Sequence, residues 1–259
     1  MKLKKVALLC LGIALLFPSP TEAQNNGIAL NETEAWFYPA GNCANGKTVL
    51  ILPGGGYSYH AMQHEGHDWV PFFNAQGINV AVLKYRLPEG NPAVPLNDVK
   101  KTMEILLDHA QEWNINPNDI GIMGFSAGGH LASCYANHTQ GTIKPAFQIL
   151  FYPVISLKSE LTNQGSKDSF LGSDQSEERI KLYSGEEQVT STTPPAIIFH
   201  SCDDPVDVEN SVSYFRSLKK AGVPVALHIY PDGGHGWGIK PYFPYHDLML
   251  EELSTWLKK

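Results

Sequence analysis

The chain predicts an α/β fold, a mostly parallel sheet with helices on both faces, and three observations predict it. Short apolar runs alternate with helix-length amphipathic stretches, the pattern of βαβ units. One run, 120–123, passes through Gly124-Phe125-Ser126-Ala127-Gly128 into small residues that can start a helix, so that strand, sharp turn and helix follow each other within 119–132. The composition, 259 residues with 43% hydrophobic, suits one well-packed core.

The first residues stand apart from that pattern. Lys2, Lys4 and Lys5 precede an uncharged apolar run over 6–17, followed by Pro18, Ser19, Pro20 and Thr21-Glu22-Ala23, the pattern of a secretory signal peptide over 1–23 cut after Ala23. The run falls well short of the roughly 20 residues that span a bilayer. Export, to the periplasm or beyond, is expected, with 24–259 as a single domain.

In that domain 28–38 reads as an early strand or strand pair. The compact strand 48–52 ends abruptly at Pro53-Gly54-Gly55-Gly56-Tyr57. A helix over 65–76 closed by Gly77, a strand over 78–83 and a helix over 95–113 with Val99, Met103, Leu106 and Leu107 on one face lead to the strand at 120–123. After the turn at Ser126 and its helix come strands at 146–152 and 196–200. A helix over 208–221 follows, with Asp207 as a possible N-cap and Gly222 as its stop. A strand at 225–230 and an amphipathic helix at 245–257 close the chain. The polar, serine-rich stretch 156–193 interrupts the alternation and is the candidate cap over the strand ends.

The chemistry starts from Ser126. Glycines on either side allow strand and helix to approach closely around a strained turn, which lifts the serine hydroxyl above the sheet's carboxyl edge. Serine needs a base to take its proton as it attacks, and on this architecture an acid and then a histidine follow on later strand-end loops. Both loops are present: Ser201-Cys202-Asp203-Asp204-Pro205 after one strand, and Pro231-Asp232-Gly233-Gly234-His235-Gly236-Trp237 after the next. His235 is the expected base. Asp203 and Asp204 both fit the acid's place, and Asp203 is taken as the expectation. A tetrahedral acyl intermediate also needs donors for its oxyanion. The backbone N–H groups of Ala127, Gly55 and Gly56 are the candidates.

Together, Pro53-Gly-Gly-Gly-Tyr, Tyr85-Arg86-Leu87-Pro88, Gly124-Phe-Ser-Ala-Gly-Gly-His-Leu-Ala, Asp203-Asp-Pro-Val and Gly233-Gly-His-Gly resemble the α/β-hydrolase superfamily. More narrowly they resemble its secreted bacterial esterase/lipase branch, which includes acetyl xylan esterase-like proteins. The resemblance implies an α/β-hydrolase fold and a serine esterase that removes short acyl groups, most simply acetyl, from a carbohydrate such as xylan; a general short-chain carboxylesterase on non-carbohydrate esters and a prolyl-oligopeptidase-like serine peptidase are the alternatives. It implies the first Asp of the pair, Asp203, as the acid, and glycines at 55 and 56 joining the N–H after the serine. One departure stands out: Pro53 occupies the place where many relatives carry a histidine before the glycines, removing a side chain that braces the loop.

Other features narrow the reading. A formal charge of -7 and the lack of a basic stripe argue against nucleic acid. No cofactor or metal is expected, since His60, His64 and His67 lack a recognisable ligand spacing and read as a solvated loop. Cys43, Cys134 and Cys202 cannot all pair within the chain. Tyr57, Tyr59 and Trp237 flank the glycine and histidine loops, and Tyr57 and Trp237 are the candidate substrate-binding aromatics. Asp98 reads as a helix cap and Glu186-Glu187 as a solvated charge pair. Asn31-Glu32-Thr33 and Asn137-His138-Thr139 match the glycosylation pattern.

Overall fold

The computed structural model describes residues 27–30, 34–138 and 143–258. The signal-peptide reading of 1–23 and the glycosylation pattern at Asn31 lie outside the described residues. Apolar runs become strands in chain order: β1 (Ile28–Leu30), β2 (Ala35–Tyr38), β3 (Thr48–Leu52), β4 (Asn79–Leu83), β5 (Ile120–Phe125), β6 (Gln148–Phe151), β7 (Ala196–Ser201) and β8 (Val225–Tyr230). They form one sheet in the order β1-β2-β4-β3-β5-β6-β7-β8. The early hairpin is antiparallel and pairs antiparallel with β4; from β4 to β8 every neighbour is parallel. All five residues of β3 and all six of β5 are buried, as a strand covered on both faces requires.

Period-two alternation divides these strands between two cores. Leu50 and Leu52 face one, with Val99, Met103 and Leu106 of α2 (Ala93–Asp108), Leu131 and Tyr135 of α3 (Ala127–His138), and Tyr214 and Leu218 of α7 (Glu209–Lys220). Val49 and Ile51 face the other, with Val70 and Phe73 of α1 (Val70–Asn74) and Met249, Leu253 and Leu257 of α8 (His246–Leu257). Each such aliphatic or aromatic side chain contributes roughly 1.5–3 kcal/mol when fully buried. The stretch 156–193 carries α4 (Gln164–Leu171), α5 (Glu177–Leu182) and α6 (Gly185–Gln188) and supplies Phe170 and Leu171 to the first core. Among the described residues no helix is long and apolar enough to cross a membrane.

Several local expectations are corrected. The helix expected from 65 is delayed: a 3-10 turn at His67–Trp69 leads into α1, with Pro71 in its first turn, and Glu65 stays in the preceding loop. His67 is not a solvated loop histidine; it is 1% exposed and lies 2.8 Å from the Tyr38 hydroxyl through Nδ1. Asp98 is no cap. It lies inside α2 and binds Arg86 through the backbone N–H at 2.8 Å and the guanidinium at 2.6 Å, which fixes the chain leaving β4. Glu186 is largely buried, with its side chain 10% exposed and 3.8 Å from the Lys158 ammonium. Asp207 accepts the N–H of Glu209 ahead of α7. The three cysteines carry free thiols, with Cys134 buried and Cys43 and Cys202 exposed.

Candidate active site

The turn between β5 and α3 holds Ser126 at φ 50°, a left-handed conformation that is rare outside glycine and marks strain. Close packing enforces it. A Cβ on Gly128 would lie 2.1 Å from the Leu52 carbonyl oxygen, so the first turn of α3 rests directly on the end of β3. The Ser126 N–H bonds to Phe151 O and its carbonyl accepts from Val154 N–H, tying the turn to the exit of β6.

His235 follows β8 in its glycine-rich loop. The Ser126 Oγ lies 2.9 Å from its Nε2, and Nδ1 lies 2.9 and 2.8 Å from the two carboxylate oxygens of Asp204. A carboxylate only accepts, so Nδ1 carries the proton and Nε2 is left to accept from the serine hydroxyl. The expectation that Asp203 fills this place is therefore corrected to Asp204. After β7 the chain turns tightly, with Asp204 N–H bonded to Ser201 O. Asp203 sits at the outer corner of this turn, exposed, and accepts the Gly234 N–H at 2.8 Å; that bond holds its carboxyl below the ordinary range. The Asp204 side chain points inward and is fully buried, and it also accepts the Val206 N–H at 2.7 Å. His200 packs against it at 3.6 Å, donating Nε2–H to Val206 O and accepting from the Ser211 hydroxyl.

The glycine loop after β3 faces the same space. Gly55, at φ 135°, could carry no side chain, because a Cβ there would lie 2.1 Å from Tyr59 O. Its carbonyl and that of Gly54 accept N–H groups from Ser58, Tyr59 and Ala61, so the loop folds on itself. Without a histidine at Pro53, other side chains brace it. The Tyr85 hydroxyl donates to Pro53 O at 2.8 Å, and the Glu65 carboxylate accepts Gly54 N–H at 2.9 Å. Gly55 and Gly56 line a cavity of about 510 Å³ together with Ser126 and His235. Ala127 is buried as the first residue of α3, where N–H groups have no acceptor within the helix. The cavity lies within the range of small-ligand sites.

Tyr57 and Trp237 do not line the cavity, and their expected roles as substrate-binding aromatics are corrected. Tyr57, at φ 59°, turns inward, is 2% exposed and donates its hydroxyl to His130 Nδ1 at 2.8 Å. The other nitrogen of His130 donates to Tyr183 O at 2.8 Å, and burial pushes this imidazole's pKa down to about 4. Trp237 is fully buried, stacked on Phe243 with ring centroids 3.9 Å apart, and its indole N–H donates to Ser201 Oγ. The aromatics that do line the rim are Tyr59 and Tyr242, 64% and 67% exposed, with the Lys240 ammonium 5.5 Å from the Tyr242 ring. From the stretch 156–193, Asn163 and Ser166 reach the same cavity. Neither Tyr242 nor Glu65 stood out in the sequence: one lies in an unpatterned loop, and the other reads as an acidic helix start.

A family model for the α/β-hydrolase fold matches residues 49–239, which include the glycine loop, the serine turn, both acid candidates and the histidine. The chain belongs to the α/β-hydrolase family. Among curated relatives, it is 43% identical over 220 residues to an acetylxylan esterase of Xylanibacter ruminicola, covering 83% of this chain and 46% of that protein. It is 32% identical over 204 residues to endo-1,4-beta-xylanase B of Butyrivibrio fibrisolvens, covering 73% and 32% respectively. The chain thus spans less than half the length of these two curated relatives. A solved acetyl ester-xyloside bifunctional hydrolase from Caldicellulosiruptor lactoaceticus superposes with a TM-score of 0.80 at 35% identity, covering 87% of this chain and 88% of that one.

Proposed function

We propose that this α/β-hydrolase is a serine esterase that removes acetyl groups from a xylan-type carbohydrate. The observation that carries the reading is the hydrogen-bonded line from Ser126 Oγ through His235 to the buried Asp204, open to a cavity at the carboxyl ends of the strands. The likeness to an acetylxylan esterase over most of the chain supports the choice of acyl group and alcohol.

In this mechanism Ser126 attacks the ester carbonyl while His235 takes its proton at Nε2. Asp204 orients the imidazole and stabilises the imidazolium that forms. The N–H groups of Ala127, Gly55 and Gly56 hold the oxyanion, and His235 returns the proton to the departing sugar hydroxyl. Water then attacks the acyl-enzyme through the same groups and releases acetate. Tyr59 and Tyr242 offer ring faces at the mouth, where a xylose unit can stack. The secretory pattern of 1–23 supports export to where such polysaccharides lie.

The test is acetate release from acetylated xylan and acetylated xylo-oligosaccharides, with aryl acetate and aryl butyrate alongside, for the wild type and Ser126→Ala. The expected result is release by the wild type, abolished in the variant. Tyr59→Ala and Tyr242→Ala are expected to raise KM for the oligosaccharide more than for the aryl acetate. Turnover of aryl esters alone would keep the serine mechanism and remove the carbohydrate. Peptide-amide turnover in place of ester turnover would overturn the esterase reading.

A further inference from the structure

The loop that bears Gly55 and Gly56 and the loop that bears His235 leave different strands, and productive geometry requires them to hold a fixed distance from Ser126. One buried side chain touches both. Glu65, 3% exposed, accepts Gly54 N–H with Oε2 at 2.9 Å and the Tyr152 hydroxyl with Oε1 at 2.8 Å. Tyr152 in turn accepts Gly238 N–H at 2.8 Å, three residues past His235, and its ring stands edge-on to the imidazole at 4.8 Å between centroids. Since the tyrosine oxygen receives the Gly238 N–H, its own proton is directed to the carboxylate. Tyr152 adopts φ 37°, a strained conformation that places its hydroxyl between the loops. Packing around the carboxylate is equally tight: a Cβ on Gly54 would lie 2.7 Å from Oε2 and 3.0 Å from Ser126 Cβ.

We propose that Glu65 is a positioning residue of the esterase site: it locks the oxyanion loop to the histidine loop through Tyr152. The proposal rests on the serine esterase reading above. It accounts for the tolerance of Pro53, because the brace comes from across the loop instead of from the residue before the glycines.

The groups that face Glu65 come from each neighbouring element. They are His235 and Lys240 on the histidine loop, Tyr152 at the exit of β6, Tyr85 at the exit of β4, and His64 beside it with Nε2 4.0 Å from Oε1. Those facing His235 are Asp204, Ser126, Tyr152 and, behind Asp204, His200. Burial pushes the Glu65 carboxyl up, while the Tyr152 O–H, the Gly54 N–H and the neighbouring His235 and Lys240 pull it back. Loss of the lock therefore acts on kcat, through the placing of His235 and the oxyanion donors around Ser126, whereas a general loosening of the site raises KM as well.

The experiment measures kcat and KM on an aryl acetate from pH 5 to 9 for the wild type, Glu65→Gln and Tyr152→Phe, with Ser126 labelling by a fluorophosphonate and thermal unfolding as controls. Glu65→Gln keeps the size and one acceptor. The expected result is a fall in kcat of about 10-fold to 100-fold with little change in KM. Tyr152→Phe, which breaks the same line at its middle, is expected to lower kcat likewise with little change in KM. Should Glu65→Gln unfold, Tyr152→Phe with wild-type kcat would still overturn the proposal. A folded Glu65→Gln enzyme with wild-type kcat, or one whose KM rises as far as its kcat falls, would overturn it while leaving the esterase reading intact. A wild type that neither labels nor turns over ester would instead bring down the esterase reading, and this inference with it.

Discussion

Asp204 accepts from His235 Nδ1 and from Val206 N–H inside a turn where its side chain has no exposure, while its neighbour Asp203 accepts Gly234 N–H at the surface. These environments set what each carboxylate can do. A carboxylate that fixes the tautomer and supports an imidazolium must be buried against it, and its amide analogue presents the wrong hydrogen-bond pattern. Asp204→Asn is therefore expected to reduce kcat about 10³-fold to 10⁴-fold, and Asp203→Asn to remain within a few-fold of wild type, as read from aryl acetate turnover. A large loss in Asp203→Asn with a small one in Asp204→Asn would reverse the assignment. The motif did not separate the two aspartates and the resemblance pointed to Asp203, because the distinction lies in which way a four-residue turn faces. Ser126 and His235 were legible because glycines surround them at strand ends, where geometry leaves few alternatives. Tyr57 and Trp237 misled for the same reason that Asp203 did. Their position beside the site is a property of the chain, but their direction depends on backbone angles such as the positive φ at Tyr57.

Among the elements, strands were easier to read than their connections. An apolar run such as 48–52 has only one stable use when both faces are covered, and the observed β3 matches it residue for residue. The helix expected from 65 was delayed because the Gly66 backbone leads into a 3-10 turn and Glu65 binds Gly54 instead of the first turn of a helix. The elbow helix α3 carries a further consequence. His130 is fully buried on it and bridges Tyr57 of the glycine loop to Tyr183 of the stretch 156–193, with its pKa lowered to about 4 by burial. Unfolded, it binds a proton near the ordinary histidine value of about 6.5. Between these values the unfolded chain holds more protons than the folded one, so stability is lost as pH falls from about 6.5 towards 4. His130→Gln removes this titration. Its melting temperature is expected to be lower than that of the wild type at pH 8, with the gap narrowing by pH 5. A constant gap across that range would show that His130 does not stay neutral in the folded chain.

At the scale of the whole molecule, the question is whether the stretch 156–193 behaves as a lid or as part of the single domain expected over 24–259. Its helices are short, from four to eight residues, and helices of that length hold no stability of their own in water. Their order comes from the body. Phe170 and Leu171 lie in the same core as Leu131, and Tyr183 O and Gly185 O accept from His130 and Asn137 of α3. Asn210 of α7 accepts the N–H groups of Ile155 and Ser156 and donates to Leu161 O, and Ser169 O accepts Gly90 N–H from the loop before α2. Contacts to three separate elements leave no hinge at which the stretch could swing as a unit. Hydrogen exchange in rising urea is accordingly expected to give one midpoint for peptides covering 164–182 and for those covering 120–138. Phe170→Ala, removing a fully buried aromatic, is expected to cost about 3–5 kcal/mol and to lower both midpoints together. A cap midpoint well below that of the sheet, or a Phe170→Ala effect confined to cap peptides, would make the stretch a separately opening lid. The cavity lined by Asn163 and Ser166 would then be gated; a shared midpoint means that substrate enters a site already formed, between Tyr59 and Tyr242.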